Sequence, residues 1–564
     1  MIRLFQRHRI RKNREVHGLW EFQTINASDK LSSKRYQLPV PSCWEMHPEF
    51  LTYRGKAIYR KYFEVKEKTN IRLEFKGVSH TATVLVDGNI VATHYNAYTP
   101  FSVLLPNVDG GEHLLEVLVD NRFTEDSALH IPNDYYTYGG IIRSVILEEI
   151  PDCYIEKMKA IPKKVDDEWH LELEAHISNL TDERQKVRME ATIADTRVIT
   201  PFSEVEKGKT VMIRRSIPIQ NIREWSSQKP NLYELELNLY RGEASEPIDD
   251  QIDRIGFRTI TTLDGHIQLN GENIVMRGFN RHEDHPQVGA SFSQTLMVHD
   301  LELMKDMGAN TVRTSHYPND ELFLDLCDEM GFFVWEENHA RGLSLERMQH
   351  PKFQEQCLQV NEEMVTNHIH HPSIIIWGIL NECASNTEEG REMYKEQIEQ
   401  IRALDNSRPV TFASHHRAEE LCFDLVDICS FNLYPKWYTD EDPKVLVEEA
   451  KKWAEELGGK GKPMIMSEFG GDGIYGYRSP THVKGTEERQ AEIIRLNLKA
   501  YEEKSYISGM LIWQFADCRV TEGLGFLLTR AGTMNQKGMV DTYRRPKLAY
   551  QTVQEIWKKG DKKS

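Results

Sequence analysis

The chain has 564 residues and a formal charge of −17, from 70 Lys and Arg against 87 Asp and Glu. Hydrophobic residues make up 40% and charged residues 28%, values that exclude collagen-like, low-complexity and wholly disordered chains. The negative charge opposes nucleic acid and anionic membranes, so neither is an expected partner.

The length predicts about three or four domains. Residues 1–14 carry Arg3, Arg7, Arg9, Arg11, Lys12 and Arg14, with no apolar stretch behind them as a signal peptide needs. They read as a solvated end that begins the fold. Residues 1–150 then read as strands joined by turns. Thr83-Val-Leu-Val86, Asp87-Gly88-Asn89 and Ile90-Val91 form a hairpin signal, because Asp-Gly suits the positive φ of a tight turn. Residues 151–259 repeat the alternation: Leu171, Leu173, Ala175 and Ile177, then Tyr233, Leu235, Leu237 and Leu239. Two successive β-sandwiches are predicted.

From about residue 260, short apolar runs alternate with helical patterns, as parallel βα units do. Strands are predicted at 274–280, 310–314, 332–336, 373–380, 409–413, 428–432, 463–468 and 507–513. Helices are predicted at 298–307, 321–330, 351–367, 388–404, 443–457 and 487–504, with a closing helix at 546–557. Eight strands in this span suit a (β/α)8 barrel, giving a multidomain α/β chain. No Walker-type loop opens any unit. The eight cysteines are scattered without a Cys-x-x-Cys pair, against a zinc site or a disulfide framework. The clearest apolar runs, 374–380 and 509–513, fall far short of the roughly 18 residues that span a bilayer. The chain reads as cytoplasmic, with reduced thiols.

Active groups of such a barrel project from the C-terminal strand ends. Trp377-Gly-Ile-Leu-Asn381-Glu382 follows the fourth strand, and Met464-Ile-Met-Ser467-Glu468-Phe-Gly470 ends the seventh. Two glutamates facing one desolvated mouth are what glycoside hydrolysis needs, one as proton donor and one as nucleophile or base. Glu382, beside the apolar fourth strand, is the one expected to have its pKa raised, and an ionised Glu468 would raise it further. His282-Glu-Asp-His285 lacks the spacing of a helical zinc motif and reads as a strand-end polar cluster. His368, His370 and His371 close a helix, where cations are favoured, and Met464 and Met466 read as core. No metal and no cofactor is required.

Asn310-Thr-Val-Arg313-Thr-Ser-His316-Tyr317-Pro318, running on to Asp328-Glu-Met-Gly331-Phe-Phe-Val-Trp335, resembles the first signature of glycoside hydrolase family 2. The segment from Pro372 to Asn381-Glu382 resembles the second, although His368-Ile369-His370 stands where the family usually has an Asp-Lys-Asn-like triplet. Arg277-Gly-Phe-Asn-Arg281-His282-Glu283-Asp284 resembles the family's first barrel strand. The resemblance implies a jelly-roll, sugar-binding-like β-sandwich at 1–150, an immunoglobulin-like sandwich at 151–259 and a TIM barrel at 260–564. Tyr98-Thr-Pro-Phe101 and Tyr138-Gly-Gly-Ile-Ile-Arg143 carry the first of these. Within the family, Met534-Asn535-Gln536-Lys537-Gly538 is similar to the Asn-x-Lys motif by which β-glucuronidases hold the substrate carboxylate. Asn432-Leu-Tyr434-Pro-Lys-Trp437-Tyr438 and Leu511-Ile-Trp513-Gln-Phe-Ala-Asp517 resemble that subgroup's sixth and eighth strand ends.

By that resemblance Glu382 is the acid/base and Glu468 the nucleophile of a retaining mechanism, with Tyr434 hydrogen-bonded to the nucleophile. Asn381 contacts the sugar 2-hydroxyl, and His316, Tyr438 and Trp513 line the sugar pocket. Asp134 reaches in from the first domain, and Asn535 and Lys537, with Arg530, meet the carboxylate. The implied substrates are β-D-glucuronides, as small molecules or glucuronic-acid-containing oligosaccharides, and the implied assembly is a homo-oligomer, by family a tetramer. A β-galacturonidase or β-galactosidase of the same family, or a catalytically inactive carbohydrate-binding protein, are the alternatives. Few residues separate Glu337 from the helix near Pro351, where some relatives carry a long loop over the aglycone. Larger glucuronide conjugates are therefore expected to be tolerated, and small aryl ones turned over less well.

Overall fold

The computed structural model describes residues 2–522 and 530–560. The first β-sandwich is built on a six-stranded and a four-stranded antiparallel sheet, closed over Trp20, Phe22, Trp44 and Tyr59. Its hairpin pairs Thr81–Val86 with Asn89–Tyr95 around Asp87 and Gly88, whose φ angles are 51° and 79°. The second sandwich packs two sheets through the side chains the alternation points inward. Leu171, Leu173, Ala175 and Ile177 meet Leu235, Leu237 and Leu239 there.

Eight parallel strands then close a barrel in sequence order. They are β1 (Met276–Asn280), β2 (Thr311–Thr314), β3 (Phe333–Glu337), β4 (Ile374–Ile379), β5 (Val410–Ser414), β6 (Cys429–Asn432), β7 (Met464–Phe469) and β8 (Ile507–Ile512). β8 pairs with β1 through Met276 and Gly509. Strands buried on both faces favour apolar residues, and β4 reads as the clearest such run. Helix starts are set by caps. Asp320 accepts from Leu322 N at the head of Glu321–Met330, and Gly331 ends that helix at φ 73°. The helix before it starts at Gln294, capped by Ser293, ahead of the apolar periodicity that begins at 298. Leu548–Gly560 packs Trp557 against the barrel as the closing helix.

The N-terminal expectation is overturned. The segment is not a solvated end but a strap lying across all three folding units. Arg3 is buried and paired with Asp325 at 2.9 Å, Glu321 at 3.2 Å and Asp253 at 3.5 Å. Arg7 meets Glu74 at 2.9 Å, and Arg11 meets Asp249 at 2.6 Å and Glu148 at 3.1 Å. Basic residues looked like a solvated arm only because their acidic partners lie far along the chain.

The first sandwich also closes one side of the barrel mouth. Tyr98 stacks on Tyr317 with centroids 3.9 Å apart, and buried Arg143 donates to Glu283 at 2.8 Å. Behind them His130 packs on His80 at 4.3 Å and on His339 at 4.2 Å. Burial drives these rings toward the neutral form: His80 is lowered to about 4, His339 and His282 to about 3, and His130 falls well below the usual value. Their folded pKa values lie below the unfolded ones, so this stability is present above about pH 6.5 and is lost as pH falls below it. Each such histidine contributes up to about 1.4 kcal/mol per pH unit. Tm should therefore drop between pH 6.5 and 5, before ordinary carboxylates titrate. Thermal melts giving the same Tm at both pH values would remove this role for the cluster.

Candidate active site

The ends of β4, β6, β7 and β8 and the Asp134 loop surround a cavity of about 460 Å³. Glu382 and Glu468 both line it. The chain leaves β4 with Leu380 and Glu382 at φ 44° and 52°, a left-handed turn unusual for residues with side chains. Hydrogen bonds from Asn381 N to Ala340 O (3.0 Å) and from Glu382 N to Ala413 O (2.9 Å) hold that turn.

One continuous network joins the two glutamates. Arg313 at the end of β2 donates to Glu468 Oε1 (2.9 Å), to Asn381 Oδ1 (2.8 Å) and to Asn280 Oδ1 (2.8 Å), and forks onto Glu337 at 2.9 and 3.0 Å. Tyr434 donates to Glu468 Oε2 at 2.7 Å. Asn432 Nδ2 donates to Glu382 Oε1 (2.9 Å) and Asn381 Oδ1 (3.0 Å) and is itself oriented by Ser467 Oγ (2.7 Å). Asn381 Nδ2 is buried, and no described residue accepts from it. It is a buried donor left without a partner among the described residues.

The electrostatics reverse the sequence expectation for the pair. Burial disfavours the Glu382 charge, but Arg341 at 3.8 Å, His415 at 4.0 Å and the Asn432 hydrogen bond outweigh it, and its pKa is lowered. Burial, then repulsion from Glu382, pushes Glu468 up to about 7 despite Arg313 and Tyr434. The apolar strand behind Glu382 was legible; the cations on the loops after the two flanking strands were not. In the free protein the pair thus loses its last proton at about pH 7, from Glu468, with Glu382 already ionised well below that.

The other expected site residues fall into two groups. Tyr434, Tyr438, Trp513, Asp134 and Arg530 line the cavity, with Tyr438 61% exposed at the rim. His316 does not reach the wall: it is fully buried beneath Trp513, stacked at 5.1 Å, with Nδ1 2.7 Å from Glu337. Asn535 and Lys537 are also buried behind the wall, paired within the protein. Asn535 Nδ2 donates to Asp134 Oδ2 at 2.9 Å, and Lys537 Nζ to Asp472 Oδ1 at 3.0 Å. Arg530 Nε donates to Asp134 Oδ1 at 3.0 Å.

Sequence reading missed Arg341, His415, Arg417 and Asp472, and gave Arg313 no role. Arg341 and Asp472 each lie four residues beyond a strand-end glutamate, Glu337 and Glu468, which is the one signal that could have marked them. The histidines set aside as possible ligands have acidic partners: His368 with Glu336 (2.9 Å), His370 with Asp253 (2.7 Å) and His371 with Asp328 (2.6 Å). Asp325, Asp328 and His371 do cluster within 4.8 Å, where Arg3 already neutralises Asp325. In the 282–285 cluster, Glu283 pairs with Arg143 and Asp284 accepts from Tyr138 at 3.0 Å.

Three family models account for most of the chain: "Glycosyl hydrolases family 2, sugar binding domain" over 13–151, "Glycosyl hydrolases family 2" over 153–258 and "Glycosyl hydrolases family 2, TIM barrel domain" over 260–560. A beta-glucuronidase of Streptococcus agalactiae is 27% identical, covering 97% of this chain and 96% of that protein. The crystal structure of a GH2 beta-galacturonidase from Eisenbergiella tayi bound to galacturonate is 47% identical, covers 99% of both chains and superposes with a TM-score of 0.95. The structure of a beta-D-glucuronidase from Dictyoglomus thermophilum is 28% identical over 98% of both chains, with a TM-score of 0.82.

Proposed function

The chain belongs to glycosyl hydrolase family 2 and is a glycoside hydrolase, and on that premise we propose that it is a retaining β-hexuronidase whose preferred sugar is β-D-galacturonic acid. The observation that carries the reaction is the hydrogen-bonded network that ties Glu382 and Glu468 to one cavity. Glu382 protonates the glycosidic oxygen as a Glu468 oxygen attacks C1, forming a glycosyl ester and freeing the aglycone. Glu382 then takes a proton from water, whose oxygen attacks C1 and releases the uronic acid and the Glu468 carboxylate. Arg313 and Tyr434 hold the nucleophile in line, and Asn381 Nδ2 meets the 2-hydroxyl. The pair's one proton sits on Glu468 in the free protein, and it must lie on Glu382 in the reactive complex.

A uronic acid is favoured by the Lys537, Arg530 and Asn535 donors beside the cavity, which a neutral sugar does not need. Galacturonic and glucuronic acid differ only at C4, so these donors serve either one. Identity of 47% to a galacturonidase, against 28% to a glucuronidase over a similar span, favours galacturonide. Glucuronide is the second reading, supported by the curated relatives and the Asn535-Gln536-Lys537 motif. The test is one aryl aglycone carried on β-D-galacturonic acid, β-D-glucuronic acid and β-D-galactose. The galacturonide should give the highest kcat/KM and the galactoside at least about 100-fold less, the worth of one or two charge-assisted hydrogen bonds. A faster glucuronide selects the second reading, and a faster galactoside rejects a uronic acid.

A further inference from the structure

Beside the cavity, two cations and two carboxylates form a compact cluster. Arg530 and Asn535 both hold Asp134, which accepts through both of its oxygens. Asp472 has a lighter hold: one hydrogen bond from Lys537 at 3.0 Å, and Arg530 Nη1 at 3.7 Å. The Lys537 side chain is 1% exposed, while that of Asp472 is 21% exposed. Lys537 Nζ also lies 5.2 Å and 5.4 Å from the ring centroids of Trp437 and Tyr438. The cluster is balanced, two positive charges against two negative, so an incoming carboxylate finds no spare cation.

Asp472 is firmly placed. It sits four residues after Glu468 in a tightly packed glycine-rich turn: a Cβ on Gly473 would lie 2.3 Å from Gln490 Oε1, and one on Gly471 2.9 Å from Ile493 Cδ1. Gly473 N donates to Gln536 O at 3.0 Å. Gln490 Nε2 donates to Gly471 O (3.1 Å) and to Gly538 O (3.0 Å), so the turn bearing Asp472 and the loop bearing Lys537 form one unit.

Resting on the hexuronidase reading, we infer that Asp472 occupies the sugar-carboxylate site of the free enzyme and gives up Lys537 to the substrate's own carboxylate. Asp472 is then a specificity-determining residue. It keeps a buried ammonium paired when the site is empty, and it subtracts its own contact from what a hexuronide gains. A neutral hexoside leaves the Lys537–Asp472 pair intact and gains nothing there.

Removing the competitor should tighten uronate binding. Asp472→Asn is expected to lower KM for an aryl hexuronide at least about fivefold, and the inhibition constant of free galacturonate by a similar factor. Both effects should vanish in a Lys537→Met background, which a purely structural role for Asp472 does not predict. A rise in KM, or an effect that persists without Lys537, overturns the inference. Should Asp472→Asn fail to fold, a crystal structure of the wild-type enzyme with bound hexuronate decides: Lys537 and Asp472 must separate, and a retained 3.0 Å contact overturns it. A wild-type enzyme that hydrolyses only neutral hexosides fails the hexuronidase reading itself, a result seen before any variant is made.

Discussion

Glu468→Ala is expected to lower kcat for an aryl galacturonide by at least about 10⁴-fold, because a retaining reaction has no first step without its nucleophile. The protein should still fold. Arg313, which loses one partner, keeps its fork onto Glu337 and its bonds to Asn280 and Asn381. Glu382→Ala should behave differently. Loss of the acid slows bond cleavage most for poor leaving groups and least for a dinitrophenyl group, which departs without a proton. Added azide should restore turnover of the activated substrate in Glu382→Ala, by replacing the water that needs a base. The wild-type kcat/KM should fall as pH rises through about 7, where the pair loses its one proton, and Glu382→Ala should lose that limb. Equal sensitivity of both variants to the leaving group, read from kcat across a series of aryl aglycones, would refute the assignment.

The second large effect is selective rather than total. Lys537→Met and Asn535→Ala should each cut kcat/KM for the aryl hexuronide by at least about tenfold, since a charge-assisted hydrogen bond contributes about 1.5–3 kcal/mol. The matching hexoside should lose much less. Lys537 is buried and aimed at a carboxylate, so it is no solvated loop lysine whose loss goes unnoticed. Asn535→Ala acts through Asp134, which keeps Arg530 but loses its amide partner. Parallel loss on both substrates, measured as kcat/KM, would mean damage to the barrel mouth and not loss of a carboxylate site.

Ile374–Ile379 was legible because burial on both faces favours an apolar run, and it and Met464–Phe469 led directly to Glu382 and Glu468. Contacts between distant segments were not legible. Arg3 looked solvated because Asp325 lies more than 300 residues away. The same blindness inverted the expected pKa order, since the cations that set it sit on the loops after the neighbouring strands β3 and β5. The family resemblance placed His316 on the pocket wall, yet Trp513 covers it. The C4 configuration of the sugar had no sequence signal at all, because the family resemblance of the Asn535 and Lys537 motif bears only on the carboxylate at C6.

A covalent uronosyl ester on Glu468 is tested directly by a 2-deoxy-2-fluoro-β-D-galacturonosyl fluoride. The fluorine slows both steps and the good leaving group spares the first, so the intermediate accumulates. Peptide mass spectrometry should find one fluorouronosyl adduct per chain, on the peptide containing Glu468, appearing in step with the loss of activity. An adduct on another residue, or full hydrolysis of ordinary galacturonide with inverted anomeric configuration and no adduct, would contradict the account.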